Sequence, residues 1–185
     1  MIPTPSQTVG PFFHVGMLWP DGPFAVAADV PGATWLRGRV TDGAGDPVPE
    51  GLVEIWQADP DGRFPHPDDP RGPVTTSGFR GFARCPTDTD GRYAIRTLKP
   101  GPVPFDGSEL MQAPHIDVSV FGRGLLDRLV TRIYFADEQA ANAADPVLAT
   151  IDPHRRGTLL AIPTGEGYVF DIVLQGDDET VFFAL

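Results

Sequence analysis

Long apolar runs are missing from this sequence. No stretch approaches the roughly 20 apolar residues that a membrane-spanning helix needs. The first residues, MIPTPSQTVGPFF, have neither a basic start followed by an apolar segment nor a small-residue cleavage pattern, so they do not resemble a secretory leader. We therefore expect a soluble, cytoplasmic protein with no membrane partner.

Cysteine is nearly absent as well. The 185 residues contain a single cysteine, Cys85, which cannot form a disulfide within the chain. Cys85 ends the mostly apolar stretch 81–85. This position favours a buried structural thiol over a catalytic nucleophile.

Basic residues are scarce relative to acidic ones. Lys and Arg number 14 against 25 Asp and Glu, which gives a formal net charge of −11. We expect no nucleic-acid partner, because such binding depends on cations that neutralise phosphates. Isolated arginines still allow a local cationic site for a small anion. These are Arg84, Arg123, Arg132, Arg155 and Arg156.

Helical segments are few, whereas turn residues are abundant. The 21 Gly and 21 Pro exceed what a helical protein tolerates, and the length favours one domain. Repeated prolines in residues 1–34 predict an extended Pro-rich arm, followed by a single β domain over residues 35–185. The arm also contains large apolar side chains, which would cover either that domain or a partner chain. These are Phe12, Phe13, Trp19 and Phe24.

Alternating apolar and polar residues, separated by turn signals, predict short strands. The predicted strands are 35–41, 52–56, 79–85, 92–98, 115–121, 129–135, 158–162, 168–174 and 180–184. Asp137–Ala143 is the best helical segment, and residues 65–78 read as a long loop. So many short strands indicate an all-β sandwich or barrel.

The strand 115–121 carries the residues that could do chemistry. Strand alternation puts His115 and Asp117 on one face, opposite the apolar side chains. The pair could bind a metal, but two ligands leave a metal site incomplete, and a hydrogen-bonded pair explains the spacing more simply. A self-sufficient metalloenzyme would need a distant third ligand such as His14 or His66. A non-enzymatic β-sandwich binding module, using exposed aromatics and the 65–78 loop, also remains open.

Three segments, Gly51–Phe64, Gly91–Pro104 and Ala113–Phe135, together resemble the intradiol ring-cleavage dioxygenases. The resemblance implies an antiparallel β-sandwich of the transthyretin-like (prealbumin-like) type. Catalytic chains of this family bind ferric iron through two Tyr and two His.

This chain departs from that ligand pattern. Phe64 and Val103 stand where the two ligand tyrosines are expected. The family's His-X-His pair falls on His115 and Asp117, and Gln112 replaces an arginine that usually precedes it. Since Phe64 and Val103 have no donor atom, the resemblance implies vestigial ligand positions, no catalytic residue and no iron on this chain.

Other matching segments resemble the non-catalytic, alpha-type chains of the family, which pair with an iron-bearing beta-type chain in a heterodimer. The matches are Thr4–Pro11, Ala113–Gly124 and Gly176–Phe183. The resemblance implies that Thr8, Gly10 and Pro11 line the partner's cleft and that Arg123 faces the substrate carboxylate. The expected reaction is cleavage of protocatechuate by O2 to 3-carboxy-cis,cis-muconate, a step of aromatic catabolism in the beta-ketoadipate pathway.

Overall fold

The computed structural model describes Thr8, Gly10 and residues 16–106 and 108–184. This part of the chain is nearly all β. The strands are β1 (Thr34–Thr41), β2 (Leu52–Trp56), β3 (Phe82–Pro86), β4 (Arg92–Thr97), β5 (Val103–Pro104), β6 (Met111–Gln112), β7 (His115–Phe121), β8 (Leu129–Phe135), β9 (Leu160–Thr164), β10 (Gly167–Val169) and β11 (Ile172–Val173). The helix α1 spans Gln139–Ala144, and short 3-10 helices span Leu148–Thr150 and Arg156–Leu159.

Nine strands are connected by pairing, while β5 and β6 form a separate two-stranded ribbon. β1 pairs with β4, β10 and β11, and β9 links β10 to β8. From β8 the pairing continues through β7 and β2 to β3. Most pairs are antiparallel, as predicted, but three are not: β10 and β11 pair in parallel with β1, and β9 pairs in parallel with β8.

The inward face of β1 shows how the sequence pattern becomes packing. Leu36 and Val40 are buried, as the alternation predicts. Between them, Gly38 lies against the backbone of Phe170, whose carbonyl oxygen would be 1.7 Å from any Cβ added at Gly38. The same oxygen accepts a hydrogen bond of 2.6 Å from the hydroxyl of buried Tyr93. Glycine is therefore required where the C-terminal segment crosses β1.

Strands from the whole pairing path contribute to one apolar core. Ile116, Val118 and Val120 point inward from β7, as predicted. Side chains from β1, β4 and β11 join the same cluster. Cys85 on β3 is also part of it, which confirms the prediction of a buried thiol. Burial raises the pKa of this thiol.

Three predicted C-terminal strands differ from the structure. The predicted strand 158–162 is shifted, because Arg156–Leu159 form a 3-10 helix and β9 spans Leu160–Thr164. The predicted strand 168–174 is divided, because Arg39 N donates to the side chain of Asp171 at 2.9 Å instead of to a strand carbonyl. The predicted strand 180–184 is not a strand. Its backbone bonds partly to hydroxyls, since Val181 N donates to Thr158 Oγ1 at 3.2 Å and its carbonyl accepts from Thr131 Oγ1 at 2.7 Å.

The described end of the N-terminal segment lies on β3 and β4. The carbonyl of Met17 accepts a 3.1 Å hydrogen bond from Arg84, and the Trp19 ring stacks on Phe82 at 6.4 Å. Residues 1–7, 9 and 11–15 lie outside the described part, so the packing of the predicted arm stays a prediction. No helix among the described residues is long and apolar enough to cross a membrane.

Candidate functional site

The four residues that the resemblance matches to the family's iron ligands are connected by contacts around the end of β2 and the start of β7. Trp56 pairs with Asp117 across the two strands, and its ring stacks on Phe64 at a centroid distance of 5.8 Å. Val103 on β5 pairs with Gln112 on β6. We call Phe64, Val103, His115 and Asp117 the relict cluster.

Phe64 is held by stacking and by an ion pair behind it. The Arg71 guanidinium lies 5.5 Å from the Phe64 ring, on which Trp56 also stacks. Asp69 binds Arg71 and accepts a 2.6 Å hydrogen bond from Phe64 N. The Arg71 guanidinium holds the pKa of Asp69 well below its usual range. An aromatic ring without a donor atom therefore fills the first ligand position.

Val103 fills the second position and is buried. Its side chain packs without offering any oxygen, nitrogen or sulfur to a metal. Both positions that the resemblance matches to ligand tyrosines are therefore apolar in this chain.

His115 is the single residue of the cluster that keeps the imidazole of the family pattern. Its side chain is buried, and Nδ1 lies 2.8 Å from the carbonyl oxygen of Ala113, so Nδ1 carries the proton. Nε2 lies 4.0 Å from Asp117 Oδ1. Burial lowers the pKa of His115 and Arg132 acts in the same direction, while Asp117 opposes them. The imidazole is therefore neutral, with its free nitrogen towards Asp117.

Arg132 on β8 binds the relict cluster through Asp117. Its Nε donates to Asp117 Oδ1 at 3.0 Å, and its Nη1 donates to Gln112 Oε1 at 2.7 Å. Burial alone would lower the pKa of Arg132, but Asp117 keeps it above its ordinary value. The sequence pattern singled out Arg132 merely as an isolated arginine. The register of the β7–β8 hairpin, which places it opposite Asp117, is the signal that would have found it.

Asp145 holds Ala113 and Tyr134, two neighbours of His115, in place. This buried carboxylate accepts hydrogen bonds from the backbone of Ala113 at 2.7 Å and of Leu148 at 2.7 Å. It also accepts a 3.3 Å hydrogen bond from the hydroxyl of Tyr134, whose pKa burial raises to about 12. Tyr134 in turn packs against His115, with ring centroids 5.6 Å apart. Asp145 thus connects the segment before β7, the strand β8 and the 3-10 helix Leu148–Thr150 around His115.

The residues present do not fit a ferric site. Across residues 16–106 and 108–184, with Thr8 and Gly10, no three His, Cys, Asp or Glu side chains group closely enough to hold a metal ion. Of the third ligands that a self-sufficient metalloenzyme would use, His66 is exposed beside Asp68, 3.8 Å away, and His14 lies outside the described residues. The polar groups present are the ion pair of Asp117 and Arg132, whose charges cancel, and the neutral imidazole of His115.

Of the second set of predicted residues, Thr8 contacts the turn after β7, which carries Arg123 and which we call the Arg123 turn (residues 122–125). Gly124 has a φ of 88° and donates its backbone N–H to Thr8 Oγ1 at 2.9 Å, so residues 116 positions apart come together. Gly10 is exposed, and a Cβ there would meet no atom within 4 Å. Pro11 lies outside the described residues.

Arg123 itself points to solvent beside a groove of about 560 Å³ that Glu50 and Gly124 also line. Its Nη1 lies 3.1 Å from Glu50 Oε2, and the two side chains are 67 % and 49 % exposed. Arg123 follows β7, whereas His115 begins it. Six residue steps of about 3.3 Å separate the ends of the strand, or roughly 20 Å. The Arg123 turn is therefore remote from the relict cluster of its own chain.

Known dioxygenase sequences are similar to this chain. A family model described as "Dioxygenase" matches residues 24–176. The protocatechuate 3,4-dioxygenase alpha chain of Burkholderia cepacia is 44% identical over 97% of this chain and 96% of its own length. The beta chain of the same enzyme in Burkholderia cepacia is 40% identical over 78% of this chain and 65% of its length.

A solved structure shares the fold. It is the dioxygenase domain of a dioxygenase carbohydrate-binding fusion protein from Streptomyces sp. SirexAA-E, with 29% identity and a TM-score of 0.57. The match covers 95% of this chain and 99% of that domain. On the family model and these relatives, the chain belongs to the intradiol dioxygenase family of ring-cleaving oxidoreductases.

Proposed function

We propose that this chain is the non-catalytic alpha subunit of a protocatechuate 3,4-dioxygenase and that a beta-type partner chain carries the ferric iron. The observation that carries the proposal is the relict cluster. Phe64 and Val103 offer no donor atom, and the carboxylate of Asp117 is already bound by Arg132. Tyrosinate oxygens provide the anionic charge that favours ferric over ferrous iron, and the relict cluster contains no tyrosine.

A partner of the same family follows from the relatives. An alpha chain and a beta chain of one enzyme, both from Burkholderia cepacia, are similar to this chain. Their likeness supports a heterodimer of two related β subunits, of which the partner retains the iron ligands. Bound in the partner, the iron would activate the catechol of protocatechuate towards O2.

The Arg123 turn is the part of this chain that would meet the substrate. Protocatechuate has a carboxylate opposite its catechol, and an exposed guanidinium binds such an anion well, even in a chain of net charge −11. Thr8, which bonds to Gly124, would line the same cleft together with Gly10 and Pro11. Because Arg123 is remote from the relict cluster, it would contact the substrate in the partner's cleft and not at this chain's own cluster.

The finer fold belongs to the same proposal. β1, β4 and β11 share one apolar cluster with β2, β3, β7 and β8, which supports two facing layers of a β-sandwich. The Pro-rich arm, residues 1–34, would run from this domain onto the partner. There, Phe12 and Phe13 would bury apolar surface, whereas Trp19 and Phe24 contact Phe82 and Trp35 of this chain.

Co-expression with a beta-type chain tests the assembly. The tagged chain should retain the untagged beta-type chain on an affinity column and elute with it at equal stoichiometry from a sizing column. A version truncated before residue 16 should lose the partner if the arm grips it. Full-length chain that elutes without the partner under these conditions would refute the proposal.

A further inference from the structure

We propose that the guanidinium of Arg132 stands in for the positive charge of a metal ion in the relict cluster and thereby keeps cations out of it. This exclusion would involve only residues of this chain and would not depend on the nature of the partner. It assigns to Arg132 an exclusion role separate from the loss of the tyrosine ligands.

The two polar side chains of the cluster would otherwise suit a cation. His115 directs its unprotonated Nε2 towards Asp117 Oδ1 across 4.0 Å. Ligand nitrogen and oxygen atoms lie about 2.0–2.2 Å from a bound transition-metal ion, so one ion could bridge this gap. The tautomer of His115, with its proton on Nδ1, leaves Nε2 free to bind such an ion.

Arg132 holds the oxygen that such an ion would need. Its Nε donates to Asp117 Oδ1 at 3.0 Å, the same atom that faces His115. Gln112 fixes the other end of the guanidinium by accepting from Nη1 at 2.7 Å, and Tyr134 Oη lies 3.4 Å from Nη1. Pairing of Asp117 with Arg132 across the β7–β8 hairpin sets this geometry through the backbone.

Charge explains the exclusion. With Arg132 in place, the pair of Arg132 and Asp117 is neutral, and an incoming dication would have to approach a fixed cation in a partly buried site. Without that cation, the cluster would present a carboxylate and a neutral imidazole. Among the described neighbours, Asp145 is a second carboxylate. Its oxygens already accept hydrogen bonds from the backbone N–H groups of Ala113, Val147 and Leu148.

The test compares Arg132→Gln with Arg132→Lys in the full-length chain, using Co²⁺ alone as the probe. Binding is followed by titration calorimetry and by the visible absorption of bound Co²⁺. Arg132→Gln removes the charge but keeps a polar side chain, so Co²⁺ should bind about tenfold or more tightly than to the wild type. Arg132→Lys retains the charge and should bind Co²⁺ as weakly as the wild type.

Two further variants make the test specific. Asp117→Asn combined with Arg132→Gln should abolish the gain, because it removes the carboxylate. Asp117→His restores the His-X-His pair of the family but retains Arg132, and it should bind Co²⁺ no better than the wild type. Equal affinity in Arg132→Gln and Arg132→Lys, or tight binding to Asp117→His, would overturn the proposal. The Asp117→His result decides it if Arg132→Gln does not fold.

Discussion

Arg123 and Glu50 form an ion pair at the surface, with 3.1 Å between Nη1 and Oε2. Glu50 has a φ of 56°, which is uncommon for a residue other than glycine, so the turn holds this carboxylate in a constrained position. Exposed ion pairs of this kind stabilise proteins by at most about 1 kcal/mol. Under the proposed function, a substrate carboxylate would therefore replace Glu50 as the partner of Arg123 at small cost.

Replacing Arg123 tests its proposed contact with substrate. In the complex with the beta-type chain, Arg123→Ala should raise KM for protocatechuate roughly tenfold, equivalent to about 1.4 kcal/mol, with a smaller effect on kcat. Arg92→Ala is the matched control, since Arg92 is also exposed and paired with a carboxylate, Asp90. Steady-state oxygen uptake measures both variants. An unchanged KM for Arg123→Ala would assign Arg123 to an ordinary surface turn.

Removing the competing carboxylate should have the opposite effect. Glu50→Gln should lower KM for protocatechuate by roughly twofold, because Arg123 loses a weak internal partner. In the Arg123→Ala background the same substitution should change nothing. A double-mutant cycle on KM checks this. A decrease in KM that persists without Arg123 would show that Glu50 affects substrate binding through the electrostatic potential of the surface and not through Arg123.

The crossing of β1 by the C-terminal segment depends on Gly38. Gly38→Ala should destabilise the chain by about 2–4 kcal/mol, because its Cβ would overlap the carbonyl oxygen of Phe170, 1.7 Å away, and backbone cannot move as side chains do. Gly157→Ala is the control, since a Cβ there meets no atom within 4 Å. Urea unfolding of the two variants gives the comparison. Equal midpoints would contradict the packing at Gly38.

The thiol of Cys85 offers a probe of core packing. Burial raises its pKa and removes it from solvent, so the native chain should react with Ellman's reagent at least about a hundredfold more slowly than the denatured chain. The sign of the pKa shift means that the native reaction stays slow to higher pH than for a free thiol. Release of thionitrobenzoate monitors both states. Rapid labelling of native protein would indicate that β3 is open to solvent.

The sequence pattern predicted both ends of three strands, β2, β7 and β8, as the structure has them. The ribbon of β5 and β6 was missed, because two residues per strand are too few for a period of two to be visible. The division of 168–174 depends on the side chain of Asp171 bonding to Arg39, a contact between residues 132 positions apart.

The candidate sites show the same limit. Alternation placed His115 and Asp117 on one face, and the structure agrees. Arg132 was not connected with them, because its position depends on the register between two strands. The contact of Thr8 with Gly124 also joins distant segments, and nothing local in the sequence indicates it. Motifs along one strand were thus readable, whereas contacts between strands needed the fold.

We propose that this chain holds no catalytic iron and works through a partner. The most direct measurement is the iron content and protocatechuate-dependent oxygen uptake of the purified chain, alone and with the beta-type chain, each supplied with ferric iron. We expect neither bound iron nor ring cleavage for the chain alone, and both for the complex. Stoichiometric iron with ring cleavage by the chain alone would contradict it.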